Sequence, residues 1–232
     1  MEKVPIVGVN RLSLNDYPGE LSAKLLIAGC NFRCPTCSHF SHVIKPKEGL
    51  IPEREVLYSL YSYRKNITAV TLGGGEPTLH NGLLSFVYKV RSLGYKIKLD
   101  TNGTRPKRIN KLLEEEMVDY LTLDIKAPLK RYSDVVENKV DVESIEQSIR
   151  LLRKSGIPHD FRVTMVPGSV EGDDLMDVTK TLIGARRLVL QTFKLSDDMC
   201  PMYNGVKPYS RKDLIAFRDT VSYYYNECVI KY

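Results

Sequence analysis

The sequence contains no apolar run long enough to cross a membrane. A spanning helix needs about 18 to 20 consecutive apolar residues, and no run of that length occurs among the 232 residues. The apolar stretch near the N-terminus is also too short for a secretory signal peptide. We therefore expect a cytoplasmic protein without a membrane partner.

The chain also lacks internal repeats, low-complexity segments and any block of five basic residues. The formal net charge is +6 and the isoelectric point is about 8.9, but the lysines and arginines are scattered. Scattered positive charge is more typical of a solubilising surface than of a stripe that binds nucleic acid. The composition therefore predicts no nucleic-acid partner, although it leaves one open.

Cysteines are few and unevenly placed. Of the five, Cys30, Cys34 and Cys37 fall within eight residues, whereas Cys200 and Cys228 lie far away. A disulfide framework would need an even and dispersed set. The crowded cysteines therefore indicate metal or redox chemistry, and the two distant ones are interpreted as buried or incidental thiols.

Short β-branched stretches alternate with longer segments whose apolar residues recur every three or four positions. The predicted strands are Ala23–Ala28, Ala69–Leu72, Lys96–Asp100, Tyr120–Lys126, Phe161–Val166 and Arg187–Gln191. The predicted helices are Glu53–Tyr63, Gly82–Leu93, Arg108–Met117, Val142–Lys154, Asp173–Ile183 and Arg211–Tyr225. This alternation predicts an α/β fold with parallel strands, either an open partial barrel or a doubly wound sheet.

The polar and glycine-rich sequences of the chain follow the predicted strands. GCNFRCPTC, GGGEP, DTNG and DIK end the first four, and PG and QTF end the last two. Ligands of parallel α/β folds bind at the carboxyl ends of the strands. We therefore expect these segments to line one ligand-binding opening at the carboxyl ends of the strands.

The cysteine triplet has the spacing C-x3-C-x2-C. Thiolates hold iron–sulfur clusters, and three ligands on a four-iron cluster leave one iron open. A Cys3His zinc site completed by His39 or His42 is an alternative. A redox dithiol of Cys34 and Cys37 would leave Cys30 unexplained.

In this position the triplet resembles the signature of the radical-SAM superfamily. The resemblance implies a [4Fe–4S] cluster ligated by Cys30, Cys34 and Cys37. It also implies that S-adenosylmethionine binds the open iron through its amino and carboxylate groups. An electron from the cluster would then cleave the sulfonium and yield a 5′-deoxyadenosyl radical.

The segment Gly73-Gly74-Gly75-Glu76-Pro77 resembles the GGEP motif of the same superfamily. Glycines allow the backbone to approach a ligand closely. Backbone groups of Gly74 and Gly75 are therefore expected to accept hydrogen bonds from the methionyl ammonium, with Glu76 adding negative charge and Pro77 beside it. A strand-end turn that starts a helix is the plainer interpretation.

Two further strand ends carry candidate cofactor contacts. Asp100 could bind ribose hydroxyls or a cation, and Asn102 belongs to an Asn-Gly turn that would present both residues. Asp124 and Lys126 share one face of their strand. They could pair with each other or with a ligand carboxylate, and the DxK pattern resembles the glycyl-radical activases, where it contacts the cofactor.

The remaining candidates are single residues. Arg162, in an otherwise apolar strand, is expected to bind an anion such as the methionyl carboxylate. Gln191 at the end of the sixth strand is expected near the adenine or ribose. Thr36 and Ser38 flank Cys37 and could touch the adenine through their backbones.

The run SLNDYPGE before the first strand narrows the resemblance to the activating proteins of anaerobic ribonucleotide reductase and pyruvate formate-lyase. The similarity covers about residues 7 to 193. It implies an open partial TIM-like (β/α)6 barrel, a glycyl-radical enzyme as protein substrate, and reduced flavodoxin or a ferredoxin-type protein as electron donor. Three departures are Thr36 for an aromatic residue, Ser38-His39 for His-Asn, and QTFK without a histidine.

We expect a single domain over residues 1–232. It would comprise an N-terminal extension (1–20), the barrel core (about 21–193) and a C-terminal loop and helix (about 194–232). Two other functions fit the residues less fully. One is a radical-SAM enzyme acting on a small molecule or tRNA, and the other is a zinc-stabilised binding module without catalysis.

Overall fold

A computed structural model describes residues 3–45, 48–196, 199, 201–203 and 205–232. Cys200 lies outside the described residues. The chain divides into two compact units. The first comprises Met1–Asn31, Ser41–Thr101 and Arg105–Thr122, and the second comprises Phe32–Phe40, Asn102–Thr104 and Leu123–Tyr232. The expectation of a single domain stays a prediction.

Strands and helices alternate along most of the chain. The strands are β1 (Ile6–Ser13), β2 (Ser22–Ile27), β3 (Ala69–Gly74), β4 (Lys96–Thr101), β5 (Tyr120–Ile125), β6 (His159–Met165), β7 (Arg187–Thr192) and β8 (Glu227–Lys231). The helices are α1 (Phe40–Ile44), α2 (Glu53–Tyr63), α3 (Leu83–Arg91), α4 (Pro106–Glu114), α5 (Tyr132–Val135), α6 (Val142–Ser155), α7 (Gly172–Leu182) and α8 (Arg211–Val221). In the described part of the chain, none of these helices is long and apolar enough to span a membrane.

The first unit places β1 to β4 side by side in chain order. β2 and β3 pair in parallel from Ser22 opposite Ala69, and β3 and β4 continue in parallel. Val70 and Leu72 on β3 and Phe86 on α3 are completely buried. The apolar face of the helix thus covers the sheet, as expected for parallel strands that are buried on both sides.

In the second unit β6, β7 and β8 pair in parallel, with Phe161 opposite Leu188. Phe161 and Val163 on β6 are completely buried, whereas Arg162 and Thr164 are only half-buried. This two-residue period directs the two sets to opposite faces of the strand. The face of β6 that carries Arg162 and Thr164 therefore holds polar side chains that could contact a ligand.

The six predicted strands all form, within two residues of their expected bounds. The local signals for helix ends also hold. The side chain of Asp141 accepts a hydrogen bond from the Glu143 amide (3.1 Å) at the start of α6, and Gly156 ends that helix with φ of +74°. Helix α4 begins at Pro106 rather than Arg108, since proline suits the first helical position.

Two strands were missed because their burial is weak. β1 lies in the segment predicted as an extension and pairs antiparallel to β2, with register shifts on both sides of its central residues. β8 follows the last helix, and none of its five residues is fully buried. That helix, expected to reach Tyr225, ends at Val221 and continues as a 3-10 turn. Neither strand has the apolar periodicity on which the sequence interpretation depends.

Candidate functional site

The glycine-rich loop after β3 is packed against the segment that precedes Cys30. The amide of Gly75 donates to the Ile27 carbonyl (2.7 Å), and the amide of Glu76 donates to the Gly29 carbonyl (2.8 Å). A Cβ atom on Gly75 would lie 2.0 Å from the Gly29 oxygen, and Gly74 has φ of +105°. Only glycine permits this approach, so these residues fix the backbone beside the first cysteine.

Glu76 is completely buried and supports the loop from within the first unit. Its Oε1 accepts hydrogen bonds from the Thr78 amide (3.0 Å), the Thr101 hydroxyl (2.8 Å) and the Thr78 hydroxyl. It thereby caps the 3-10 turn that starts at Pro77. The sequence interpretation missed both threonines; Thr78, two residues after a strand-end glutamate, is a recognisable capping signal, whereas Thr101 is not.

Asp100 is buried at the end of β4, where its carboxylate pairs with the ammonium of Lys98. Gly73 lies beneath it, since a Cβ there would be 3.4 Å from the Asp100 Cβ. Lys98 therefore supplies a cation of the kind expected near Asp100. A contact of Asp100 with ribose stays a prediction.

The expected Asn-Gly turn forms in the second unit. Asn102 Oδ1 accepts hydrogen bonds from the amide (3.1 Å) and hydroxyl (2.7 Å) of Thr104. Gly103 has φ of +78°, and a Cβ there would lie 2.5 Å from a methyl group of Leu123. The turn is thus required by local geometry, and the cofactor contact of Asn102 stays a prediction.

Cys34 and Cys37 share a tight turn of the second unit, closed by a hydrogen bond from the Cys37 amide to the Cys34 carbonyl (3.0 Å). Both are half-buried, as is Thr36, and Ser38 is exposed. The Ser38 hydroxyl lies 3.0 Å from Nδ1 of His39. The turn therefore holds the last two cysteines of the triplet in fixed proximity.

Asp124, Lys126 and Arg162 form a charged cluster in the second unit. Lys126 Nζ lies 3.2 Å from Asp124 Oδ2, and Arg162 binds the same carboxylate through Nε (2.5 Å) and Nη2 (3.0 Å). Ile125 between them is buried, which confirms the expected face for its neighbours. Lys126 and Arg162 both contact the Asp124 carboxylate, and cationic donors of this kind suit an anionic ligand.

Tyr132 fixes this cluster and was not predicted. It is completely buried, and its hydroxyl accepts from the Lys126 amide (3.1 Å) and donates to the Asp124 carbonyl (3.3 Å). Its ring packs against Phe32, just before the cysteine turn, at a centroid distance of 6.0 Å. The sequence carries no local signal for these contacts because they join separate segments.

Electrostatics connects the cluster with Cys34. Burial disfavours the charged form of Lys126, but the neighbouring Asp124 carboxylate and Cys34 outweigh it, so the pKa of Lys126 lies above its usual value. Burial raises the pKa of the Cys34 thiol to about 11, and the Lys126 ammonium opposes that shift. Burial thus dominates at Cys34, and the Lys126 ammonium offsets only part of its effect on the thiol.

Gln191 lies near the end of β7, opposite Thr164 of β6, and is half-buried. Its expected contact with adenine or ribose stays a prediction. In the described part of the chain, no three His, Cys, Asp or Glu side chains are arranged to hold a metal ion. Cys30 belongs to the first unit, and Cys34 and Cys37 belong to the second.

The chemistry of the donor set fits a cluster better than it fits a simple metal ion. Three thiols occur in one short segment, and the Lys126 ammonium interacts with one of them, Cys34. The glycines after β3 let the loop backbone pack directly against residues 27–29, just before the first cysteine, where any side chain would clash. These features suit a group with cysteine ligands and one open coordination position.

Solved structures share the fold. SuiB of Streptococcus suis, bound to S-adenosylmethionine, superposes with a TM-score of 0.68 at 14% identity, covering 88% of this chain and 48% of SuiB. This likeness confirms the predicted class, an α/β open partial barrel with parallel strands. β1 departs from the parallel arrangement, since it pairs antiparallel to β2.

Sequence comparison gives the family. The radical SAM superfamily profile matches residues 25–182. A protein of Methanocaldococcus jannaschii, provisionally named a glycyl-radical enzyme activating enzyme, is 30% identical over 200 residues, which is 84% of this chain and 82% of that protein. The chain belongs to the radical SAM superfamily. It is a radical SAM enzyme that uses a [4Fe–4S] cluster and S-adenosylmethionine.

A partial match points to a different chemistry within the same superfamily. A 7-carboxy-7-deazaguanine synthase of Hyperthermus butylicus is 34% identical over 92 residues, covering 39% of this chain and 38% of that enzyme. The shared stretch is too short to carry over the activity of the whole enzyme.

Proposed function

We propose that this enzyme activates a glycyl-radical enzyme by abstracting a hydrogen atom from a glycine of that partner. The observation that carries the proposal is the match to the activating-enzyme relative, which extends over more than four fifths of both chains. The Asp124-Ile125-Lys126 sequence supports it, since this pattern resembles the activases. Anaerobic ribonucleotide reductase is a candidate partner.

In this proposal Cys30, Cys34 and Cys37 ligate the cluster. When bound, the cluster and S-adenosylmethionine supply the one-electron cleavage that generates the radical. The protein residues bind and orient the cluster and S-adenosylmethionine. The Lys126 and Arg162 cations beside Asp124 suit the methionyl carboxylate, and Tyr132 holds the backbone of the cluster in place.

Loop residues complete the proposed cofactor site. Carbonyl groups of Gly74 and Gly75 would accept from the methionyl ammonium. Glu76 holds that loop through Thr78 and Thr101 and adds negative charge beside it. Asp100 would accept hydrogen bonds from ribose hydroxyls, with its carboxylate held in place by the ammonium of Lys98.

The decisive experiment is anaerobic. The reconstituted enzyme, S-adenosylmethionine and a reductant are incubated with glycyl-radical enzymes from the same organism, and spin resonance detects a glycyl radical in the partner. We expect a radical with one partner and none with Cys34→Ala, which lacks a ligand. Cleavage of S-adenosylmethionine with no radical in any partner would refute the activase role.

Arg162→Ala tests the carboxylate assignment separately. We expect weaker binding of S-adenosylmethionine while the iron content stays that of the wild type. Unchanged affinity would show that Arg162 does not bind the cofactor.

A second candidate is a small-molecule radical reaction, favoured by the partial match to the deazaguanine synthase. It predicts steady formation of 5′-deoxyadenosine with a low-molecular-weight substrate and no dependence on a partner protein. Membership in the superfamily removes the zinc-stabilised binding module as a reading of the cysteine triplet.

A further inference from the structure

The first unit contains a groove with a volume of about 350 Å³ between α3 and α4. Both helices follow carboxyl ends of strands, α3 after β3 and α4 after β4. The groove residues are Asn81, Leu84, Lys107, Arg108, Lys111 and Leu112. We call this surface the basic groove. The half-buried Leu84 provides the apolar floor, whereas Leu112 is completely buried, and three cations form the rim, of which Lys111 lies 3.6 Å from Glu115.

The start of α4 concentrates positive charge. Arg105 occupies the N-cap without a side-chain hydrogen bond to the helix, and no acidic residue lies in the first turn. A helix N-terminus carries the positive end of the helix dipole, where cations are unfavourable for the helix itself. Lys107 and Arg108 therefore oppose the helix they begin, and an anionic partner would relieve that repulsion.

The basic groove is linked to the segment that leads to Cys30. Arg108 donates to Asn81 Oδ1 through Nη2 (2.8 Å) and to the His80 carbonyl through Nη1 (3.4 Å). The His80 Nε2 atom lies 2.9 Å from the Ala28 carbonyl oxygen, two residues before Cys30. A short path of hydrogen bonds and covalent bonds thus joins the groove to a proposed cluster ligand.

We infer that the basic groove is the docking surface for an acidic one-electron carrier protein, which reduces the cluster. One electron leaves the reduced flavin or iron–sulfur centre of the carrier and enters the cluster; the carrier is oxidised by one electron, and no atom is transferred. The inference rests on the electron requirement of the superfamily. It does not depend on whether the final substrate is a glycyl-radical enzyme.

The mixed surface favours a protein over a free anion. A cationic rim around an apolar floor matches the usual anatomy of protein interfaces, in which apolar contacts lie inside a polar margin. Free phosphate would leave the apolar surface of Leu84 uncovered. Carboxylates on the carrier would give attraction that weakens with added salt.

The test uses the full-length enzyme with two probes, a purified flavodoxin and a purified ferredoxin. Binding is measured calorimetrically with cluster-free and cluster-loaded enzyme, so that one readout is independent of activity. We expect at least one probe to bind and Lys107→Glu/Lys111→Glu to weaken its binding at least tenfold. The matched control Lys65→Glu/Lys139→Glu makes the same change in net charge on exposed residues elsewhere and should bind normally.

A second readout separates docking from chemistry. Cleavage of S-adenosylmethionine without any partner enzyme is measured with the carrier or with dithionite as reductant. With the carrier as reductant, the rate of S-adenosylmethionine cleavage by the groove variant should fall at least tenfold. With dithionite as reductant, that rate should stay unchanged. Equal loss in the control, unchanged binding in the groove variant, binding of neither probe, or binding that inorganic phosphate or an oligonucleotide abolishes would each overturn the inference.

Discussion

The loop after β3 in the first unit and the charged cluster in the second unit are held by different forces. The loop depends on backbone contacts that only glycine allows, and its one charged residue, Glu76, is surrounded by hydroxyl and amide donors. The cluster depends on side-chain charges, with Asp124 between Lys126 and Arg162. We therefore expect substitutions in the loop to destabilise the protein through steric clash. Substitutions in the cluster should destabilise it through unbalanced charge.

The largest effect should come from Gly75→Ala in the loop. The new Cβ would lie 2.0 Å from the Gly29 oxygen, so the backbone before Cys30 must move. We expect the free energy of unfolding to fall by about 3 kcal/mol, measured by chemical denaturation, together with loss of iron on reconstitution. Gly73→Ala is the control, because its Cβ would meet Asp100 at an ordinary 3.4 Å. Equal losses in both variants would disprove the steric explanation.

Asp124→Asn should have the next largest effect. It removes the negative charge between Lys126 and Arg162 and leaves these two as neighbouring cations in a partly buried setting. We expect a loss of about 2 kcal/mol in the free energy of unfolding, below the value for a fully buried pair. Asp177→Asn, which breaks exposed pairs with Lys130 and Lys180, should change nothing measurable. A stable Asp124→Asn variant would mean that the cluster is held by packing instead.

Tyr132→Phe tests whether hydrogen bonding or ring packing supports the cluster. The variant keeps the ring contact with Phe32 but removes two hydrogen bonds to backbone groups of β5 and its end. We expect a loss of about 1.5 kcal/mol, measured by thermal and chemical unfolding. Tyr95→Phe in the first unit, where the hydroxyl makes one bond to the Leu60 carbonyl (2.6 Å), should lose about 1 kcal/mol. A smaller loss at Tyr132 than at Tyr95 would contradict the assigned role.

Alkaline pH should reveal the smallest difference. Burial, followed by the nearby Asp119 carboxylate, raises the pKa of Tyr17 in the first unit from 10.0 to about 12. The unfolded chain therefore releases this proton first, and the free energy of unfolding should fall as the pH rises from 10 to 12. Tyr17→Phe should remove about 1 kcal/mol of that fall at pH 11.

Tyr225 offers the counterpart in the second unit, since burial also raises its pKa to about 12. Denaturation curves at pH 8 and pH 11 for both phenylalanine variants would compare the two units directly. Parallel curves for wild type and Tyr17→Phe would show that Tyr17 titrates alike in the folded and unfolded chain.

Much of the fold could be predicted because its signals are local. Apolar periodicity identified six strands, and Asp141 and Gly156 marked the ends of α6. The strands β1 and β8 were missed, since most of their residues are half-buried or exposed and are stabilised by pairing with a neighbouring strand. Local patterns cannot show pairing of that kind.

The candidate site shows the same division. Amino-acid spacing by itself determined the cysteine triplet, the glycine loop and the shared face of Asp124 and Lys126, because these depend on neighbours along the chain. Only the tertiary structure decided that Arg162 binds Asp124, that Thr101 supports Glu76 and that Tyr132 holds the end of β5. The physical reason is that a buried charge or hydroxyl takes whichever partner the fold brings within about 3 Å, and that partner is fixed by three-dimensional packing.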